Sequence, residues 1–411
     1  MFSSAPGGAA RGRYRSLLAD RTFRRLMPVF ALSDLGDGMS VVAVPWMALA
    51  LAPEGGGGAL IGVSVAAYIL PGAAGALVLD RWLRRLRAQR LLIVDSGLRA
   101  GLLGAIPAAY VLGALTPAVY VACLAASSLL HAWGKAGKYA LFAPLLRDDQ
   151  RLAANSLLAT SLWSATIAGP ALAGLLAGVM SPAWIIGLDA ATFAVLALQT
   201  GRTRLPAATA PVPVARETRH VLRILRRQPD LLALLVVTWL FNLAFGPAEV
   251  ALPLFVTDQL HAGSGLLGQY WAAFGVGAVM GALAVGLARR LPLWPAMLAI
   301  IAGHGIGMLP FAITHTAVPS VIGFAFAGLV YGPYSALSFT AFQDRVSADS
   351  LTSVLAVRAA VLLTASPLGA ASGGFLVDRT SPPAVLTGSG GLMILIALIG
   401  ALVARSGRRP R

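Results

Sequence analysis

The sequence predicts an all-α membrane protein in which twelve transmembrane helices form two pseudo-symmetric six-helix bundles. The first observation is composition: 57% of the 411 residues are hydrophobic and only 12% are charged, whereas soluble domains carry about 25% charged residues. The second is that apolar residues fall in runs of about 20, the length of a membrane-spanning helix. The third is an internal repeat about half the chain long. A cytosolic enzyme and a secreted disulfide scaffold are excluded, since charge is scarce and Cys123 is the only cysteine.

Twelve apolar runs, numbered as spans 1 to 12, are predicted to cross the bilayer. Their lengths exclude barrel strands, which are about 10 residues long and alternate in polarity. Residues 1–22 are basic and lack an apolar segment, so we expect no cleaved signal peptide before span 1. The runs cover residues 23–51, 57–79, 89–112, 117–141, 153–179, 182–201, 230–257, 265–288, 292–313, 318–342, 350–376 and 382–404.

The basic residues predict how the chain lies in the membrane. With the N-terminus in the cytosol, nearly all of the 32 Lys and Arg residues fall on cytosolic segments, and Arg379 alone falls on the outer side. Positive charge on cytosolic loops is the usual orientation rule. We therefore expect both termini in the cytosol and a location in the cell inner (plasma) membrane. The net charge of +16 then reflects a lipid bilayer as partner, with no role for nucleic acid.

An internal repeat supports the two-bundle architecture. The segment GDGMSVVAVP, which ends at Pro45, aligns with FGPAEVALP, which ends at Pro253. Segments of spans 2 and 8 align at nearly the same offset. Chance similarity between Ala- and Gly-rich helices is the alternative, and it is weakened because two separate helices agree. Two six-helix repeats in the same direction place a transporter's site at the midplane between them.

The only long connection separates the two repeats. We expect an N-terminal bundle at 1–201, a cytosolic linker at 202–229 and a C-terminal bundle at 230–411. The linker's basic segment, from Arg216 to Arg227, is predicted to form a helix that lies on the inner leaflet.

Several sequence stretches in order carry a family resemblance over essentially the whole chain. They are FRRL…SDLGDG, DRWLRR with LLIVDSGLRA, APLL…LAANSL, GPALAG…LDAATF, LRRQP and PLGAASGGFLVDR. Together they resemble the major facilitator superfamily, in the drug:proton antiporter branch that includes macrolide and enterobactin exporters. The resemblance implies a carrier that opens alternately to each side and uses the proton gradient, with no cofactor.

Two motifs within the resemblance concern gating. Asp80 and Arg81, with Arg85 nearby, match the family's G-x-x-x-D-R loop, although Ala76 stands where the family has glycine. The resemblance implies that this loop latches the cytosolic side, and a plain basic loop is the alternative.

Span 5 carries the second motif. Gly169, Pro170 and Gly174 resemble the antiporter motif G-P-x-x-G-G, with Ala173 at its fifth position. The family's exporters carry this motif. Helix packing is the alternative role, because small residues allow close helix contact.

Polar residues lie on the four spans that line the cavity in the resembled fold. Charges at mid-bilayer are costly and usually face the bundle interior. The polar residues of spans 1, 4, 7 and 10 are therefore expected to line the substrate path or to couple protons. These residues are Asp34, Asp37, His131, Lys135, Lys138, Asn242, Glu249, Tyr331 and Tyr334.

The helical rise predicts which of these charges lie at one level. At about 1.5 Å per residue, Asp34 is level with Lys138 and Asp37 with Lys135. The pairs either serve insertion and packing alone, or exchange partners when a proton or substrate binds; both interpretations stay open. On span 3, the i,i+4 residues Asp95 and Arg99 are expected to form a structural pair.

Glu249, near the outer end of span 7, has no evident partner in the sequence. A carboxyl group in apolar surroundings favours its neutral form, which suits a proton carrier. Glu249 is therefore the first candidate carrier and Asp37 the second; a position in outside water is the alternative for Glu249. Arg358 in span 11 is expected to be a buried partner or a gating residue, and His304 a core residue.

The predicted function is secondary active export of a small organic molecule, such as a drug, natural product or siderophore, driven by proton entry. The sequence holds no nucleotide-binding loop, metal-binding cluster or nucleophile elbow, so neither a primary pump nor an enzyme is expected. We expect a monomer without metal ions. Alternatives of the same fold are an importer or a lysolipid flippase, and a different class is a membrane sensor or lipid enzyme.

Overall fold

The computed structural model describes residues 17, 19–79, 86–142, 148–203, 217–288, 292–313, 316–346 and 348–406. Within these ranges every regular element is a helix. In the described part of the chain, 11 helical stretches are long and apolar enough to cross a membrane. A shorter apolar segment, Thr160–Leu176, supplies span 5. The predicted all-helical, twelve-span fold is confirmed.

The observed helices follow the predicted runs within a few residues. Spans 1 to 6 are Arg21–Leu51, Gly57–Val78, Ala88–Val111, Pro117–Ser128 with His131–Phe142, Asp148–Leu176 and Pro182–Arg202. Spans 7 to 12 are Pro229–Leu254 with the π-helical turn Phe255–Gln259, Ser264–Ala288, Leu293–Gly307 with Pro310–Ile313, Ala317–Gln343, Ala348–Leu362 with Ala365–Arg379, and Pro382–Ser406.

Local chemistry explains where several spans begin. The N–H of Phe23 donates to the Asp20 carboxylate at 2.8 Å, which caps span 1. Thr116 caps span 4 and Ser181 caps span 6, and each is followed by a proline at the first helical position. A side-chain oxygen satisfies a free N–H of the first turn, and proline has no N–H to satisfy.

Small residues hold the two bundles together. An even number of crossings puts the start of span 1 and the end of span 12 on one face of the protein, and the loop between spans 1 and 2 on the opposite face, the far face. Span 2 packs on span 11, and span 5 packs on span 8. A Cβ added at Gly174 would lie 2.5 Å from the Cα of Gly268. A Cβ added at Gly374 would lie 2.4 Å from the carbonyl oxygen of Gly58. These contacts lie toward the far face and join the bundles there.

A short helix, Glu217–Arg227, lies in the predicted linker. Its apolar residues Val221 and Leu225 are fully buried in the core of the C-terminal bundle. Arg223, Arg226 and Arg227 are exposed. The helix therefore extends the C-terminal bundle through its apolar side, and contact of its basic side with the inner leaflet stays a prediction.

Candidate functional site

An ion pair joins spans 1 and 4 inside the N-terminal bundle. The Nζ of Lys138 lies 2.7 Å from Oδ1 of Asp34 and 2.8 Å from Oδ2. Ser161 of span 5 donates a further hydrogen bond to Asp34 at 2.8 Å. The pairing that helical rise predicted for these two residues is therefore present, while its role in transport stays a prediction.

Asp37, one turn further along span 1, binds Arg99, which was expected to pair with Asp95. Nη1 of Arg99 lies 2.8 Å from Oδ1 of Asp37, and the Arg99 side chain is 1% exposed. The expected partner of Arg99 was Asp95. Span 3 turns both residues into the bundle, and the longer guanidinium reaches span 1, whereas the Asp95 carboxylate packs against Gly134 of span 4. The expected Asp37–Lys135 pair cannot be compared, because the Lys135 side chain lies outside the described residues.

A third carboxyl group completes the cluster, and sequence reasoning missed it as a site residue. Asp189 of span 6 is 0% exposed. Its Oδ2 accepts a hydrogen bond of 2.6 Å from Ser40. The hydroxyl of Tyr68 lies 3.0 Å from Asp37 and 3.4 Å from Asp189. An acidic residue within an apolar span was the available signal.

A cavity of about 90 Å³ lies beside these groups. A cavity of this size is large enough to hold water. His131, a predicted cavity residue, lines it and is itself buried. Its other charged or titratable lining residues are Asp34, Asp37, Asp95, Arg99 and Lys138. The N-terminal bundle thus contains a cavity with charged side chains in its lining.

Glu249 has a partner, contrary to the expectation from the sequence. Ser366 of span 11 donates a hydrogen bond to its Oε2 at 2.6 Å. Span 11 is interrupted between Leu362 and Ala365, and its second part packs closely on span 7, where a Cβ at Gly246 would meet the Ser366 carbonyl oxygen. The two sides of this contact are far apart in the sequence, so no spacing rule indicates it.

The remaining predicted residues of the C-terminal bundle are held by local contacts. The Asn242 amide donates to the carbonyl oxygen of Thr238 in its own helix at 2.8 Å. The Tyr334 hydroxyl donates to the Thr238 hydroxyl at 2.9 Å, and the Tyr331 and Tyr334 rings stack with centroids 5.9 Å apart. The Tyr334–Thr238 hydrogen bond ties spans 7 and 10 together.

Arg358 is buried, as expected. Its Nη2 donates to the Ser338 hydroxyl at 2.8 Å, and its guanidinium lies 5.5 Å from the centre of the Phe342 ring. His304 is also buried, among aromatic rings that include Phe241 at 5.2 Å, which agrees with its expected place in the core.

The two gating motifs differ in what the structure shows of them. Asp80, Arg81 and Arg85 lie outside the described residues. In span 5, an added Cβ at Gly169 would meet the backbone of Gly38 in span 1, whereas Gly174 touches Gly268 of the other bundle. The motif's two outer glycines therefore serve one contact within a bundle and one between bundles.

Twelve membrane-spanning helices in two halves, with ion pairs inside one half, are typical of a membrane transporter. In the part of the chain that is described, no group of His, Cys, Asp or Glu could hold a metal ion. The chain belongs to the major facilitator superfamily, whose family model matches residues 26–362. Proteins of this family are typically carriers and not enzymes.

Several known proteins are similar over most of the chain. An uncharacterized MFS-type transporter, y4rN of Sinorhizobium fredii, is 28% identical over 93% of this chain and 91% of its own. The multidrug efflux pump Tap of Mycobacterium tuberculosis is 26% identical over 84% of this chain and 85% of its own. Macrolide efflux protein A of Streptococcus pyogenes is 25% identical over 63% of this chain and 66% of its own. The resemblance to drug efflux transporters is thereby confirmed.

Solved structures agree on the fold. The crystal structure of the nucleoside transporter NupG superposes with a TM-score of 0.69 at 14% identity, covering 94% of this chain and 100% of that one. At this identity the likeness shows the fold alone.

Proposed function

We propose that this transporter exports a small organic molecule in exchange for protons. Export is supported by the relatives described as efflux proteins, one of which aligns with 84% of the chain. Proton exchange is supported by the buried carboxyl groups. The basic residues favour cytosolic N- and C-termini. With this orientation the far face is extracellular, and the contacts there correspond to a state closed to the outside.

The Glu249–Ser366 hydrogen bond is the observation that carries the proton-coupling proposal. A serine hydroxyl donates to the carboxyl group at 2.6 Å. A hydroxyl can donate to a carboxylate and accept from a carboxylic acid, so the same contact holds both protonation states. Proton uptake at Glu249 therefore requires no loss of this contact. Asp37, which is bound to a guanidinium, must give up an ion pair when it is protonated, and it is the second candidate.

Transport in proteoliposomes tests the proposal. Two probes, erythromycin and ethidium, follow the substrate classes in the names of the efflux relatives. We expect an imposed pH gradient to drive at least one probe uphill, and a protonophore to abolish that transport. Addition of the probe should move protons in the opposite direction, which a pH-sensitive dye trapped in the vesicles reports.

Control measurements separate the alternatives. Counterflow of probe without any gradient, together with indifference to the pH gradient, contradicts proton coupling and leaves a facilitator. Uphill movement toward the cytosolic side indicates an importer, and movement of a fluorescent lysolipid between leaflets indicates a flippase. If a protein shown to be folded gives no counterflow of erythromycin or ethidium and does not move the lysolipid, a sensor or lipid enzyme is favoured. Reporter fusions after residues 228 and 411 that read as external contradict the orientation.

A further inference from the structure

Asp189 differs from Asp34 and Asp37 in that no ion pair to it is found among the described residues. It is 0% exposed, and its two nearby donors, Ser40 and Tyr68, are neutral hydroxyls. Its other oxygen, Oδ1, has no hydrogen-bond partner within the described chain. A buried carboxylate is stable when a cation and further hydrogen bonds compensate its charge. The contacts of Asp189 suit a neutral, protonated carboxyl group better than a carboxylate.

The two cations whose side chains the structure describes in this region are engaged by the carboxylates of span 1. Lys138 of span 4 binds Asp34, and Arg99 of span 3 binds Asp37. Among the described side chains, Asp95 of span 3, His131 of span 4 and Tyr68 of span 2 are the other titratable groups near these carboxyl groups. The guanidinium of Arg99 lies 4.4 Å from the centre of the Phe193 ring and 5.4 Å from that of Tyr68. The guanidinium therefore lies against a ring of span 6, the span that carries Asp189.

Arg99 has a donor to spare for Asp189. Its Nε is buried and makes no hydrogen bond to the described residues, as is the case for Oδ1 of Asp189. A negative charge on Asp189 would therefore attract the guanidinium of Arg99. The guanidinium has five N–H donors, so it can shift its hydrogen bonds from Asp37 toward Asp189 when the charge moves between these two carboxyl groups.

We propose that Asp189 is a proton-binding residue of the N-terminal bundle, and that it exchanges its proton with Asp37 through the shared hydroxyl of Tyr68. This inference rests on the proton coupling proposed above but does not involve Glu249. In the transfer, the O–H bond of Asp189 breaks and its proton passes to the Tyr68 oxygen. Tyr68 gives its own proton to Asp37, so the phenol is unchanged.

The transfer moves the Arg99 ion pair. Asp37 becomes neutral and Asp189 becomes charged, so the guanidinium turns from span 1 to span 6. The cavity lined by Asp37 and Arg99 then connects the proton on Asp37 to the Asp34–Lys138 pair. Proton binding at Asp189 is thereby converted into a change of the contacts between spans 1, 3 and 6.

Infrared difference spectroscopy on the purified, reconstituted protein tests the proposal without reliance on transport. The C=O stretch of a protonated buried carboxylic acid is distinct from the carboxylate bands. Glu249→Gln serves as the background, so that Glu249 does not contribute. We expect this band to disappear as pH is raised, and to be absent at all pH values when Asp189→Asn is added. Asp189→Glu should restore it at a shifted frequency.

Transport measurements and a control complete the test. With Glu249 intact, Asp189→Asn should lose pH-driven transport and retain counterflow, and the matched carboxyl removal Asp258→Asn on the far face should change neither. A band that persists unchanged in Asp189→Asn, or wild-type pH-driven transport in that variant, overturns the assignment. A wild type that shows the Asp189 band but no pH-driven transport overturns the proposed coupling and leaves the protonated carboxyl standing.

Discussion

The carboxylate of Asp378 accepts a hydrogen bond from the backbone N–H of Gly58, 2.8 Å away, across the boundary between the two bundles. Its second oxygen accepts from the N–H of Ala59, also at 2.8 Å. Gly58 and Ala59 lie in the first turn of span 2, where N–H groups have no partner within the helix and the helix dipole is positive. One side chain of span 11 thus caps a helix of the other bundle and ties the far face together.

The sequence around this contact repeats a pattern found elsewhere in the chain. Gly374 to Arg379 reads G-x-x-x-D-R, the pattern that the loop containing Asp80 and Arg81 resembles. At the far face the glycine packs against span 2, and the aspartate caps it. The small residue lets the helices approach closely enough for the carboxylate to reach the backbone.

Asp378→Asn should weaken closure of the far face. Hydrogen bonds to a charged group are worth about 1.5–3 kcal/mol, and an amide has one acceptor oxygen where a carboxylate has two. Spin labels at Ala114 and His261, in far-face loops of different bundles, should show a larger population of long distances in the variant than in the parent. The parent carries Cys123→Ser. Asp258→Asn is the control, and equal distance distributions for Asp378→Asn and the parent contradict the role.

Gly174→Val should separate spans 5 and 8. Any Cβ at Gly174 would lie 2.5 Å from the Cα of Gly268, so the bundles must move apart to admit the side chain. We expect impaired transport and the same lengthening of far-face distances.

The matched control for this variant is Gly101→Val, because a Cβ at Gly101 meets nothing within 4 Å. Transport by Gly174→Val at the rate of the Gly101 variant would show that the close contact is dispensable.

Asp37 and Arg99 should behave as a coupled pair. Removal of one partner of a buried ion pair costs about 3–5 kcal/mol, because the other charge is left uncompensated. Asp37→Asn should therefore lower folded yield and thermal stability, and Arg99→Gln added to it should recover part of the loss. A double-mutant cycle with coupling near zero contradicts the pair. The parallel cycle of Asp37 with Lys135 measures the pairing expected from helical rise.

Helical geometry accounts for what the sequence could and could not indicate. Span limits follow from apolar length, and the Asp34–Lys138 pair follows from rise per residue, since both depend on position along one axis. The partner of Arg99 was missed because i,i+4 spacing identifies neighbours on one helix but not the reach of a long side chain. Asp378 and Gly58 are 320 positions apart. Every residue except proline has a backbone N–H, so the sequence does not indicate which N–H binds a given carboxylate.

Depth along a span does not indicate which way a side chain turns around it. Ser366 and Glu249 meet because span 11 is interrupted beside span 7, and a break of this kind has a weak sequence signal. Asp189 was visible as an acid in an apolar run. Its site could not be assigned, because its donors come from spans 1 and 2, and their rotation relative to span 6 depends on packing.

Glu249→Gln should abolish uphill export driven by a pH gradient and leave counterflow intact. The amide keeps an oxygen that can accept from Ser366, so packing is retained while the proton site is lost. Asp37→Asn should impair both activities, because it also leaves the Arg99 guanidinium without the carboxylate it binds at 2.8 Å. Ser366→Ala removes the hydrogen bond but keeps the titrating group, so coupled export should persist in that variant. Measurement of pH-driven export and counterflow on one reconstituted preparation separates the three results. Coupled export by Glu249→Gln at the wild-type rate would remove Glu249 from the mechanism and leave the carboxyl groups of the N-terminal bundle as the coupling site.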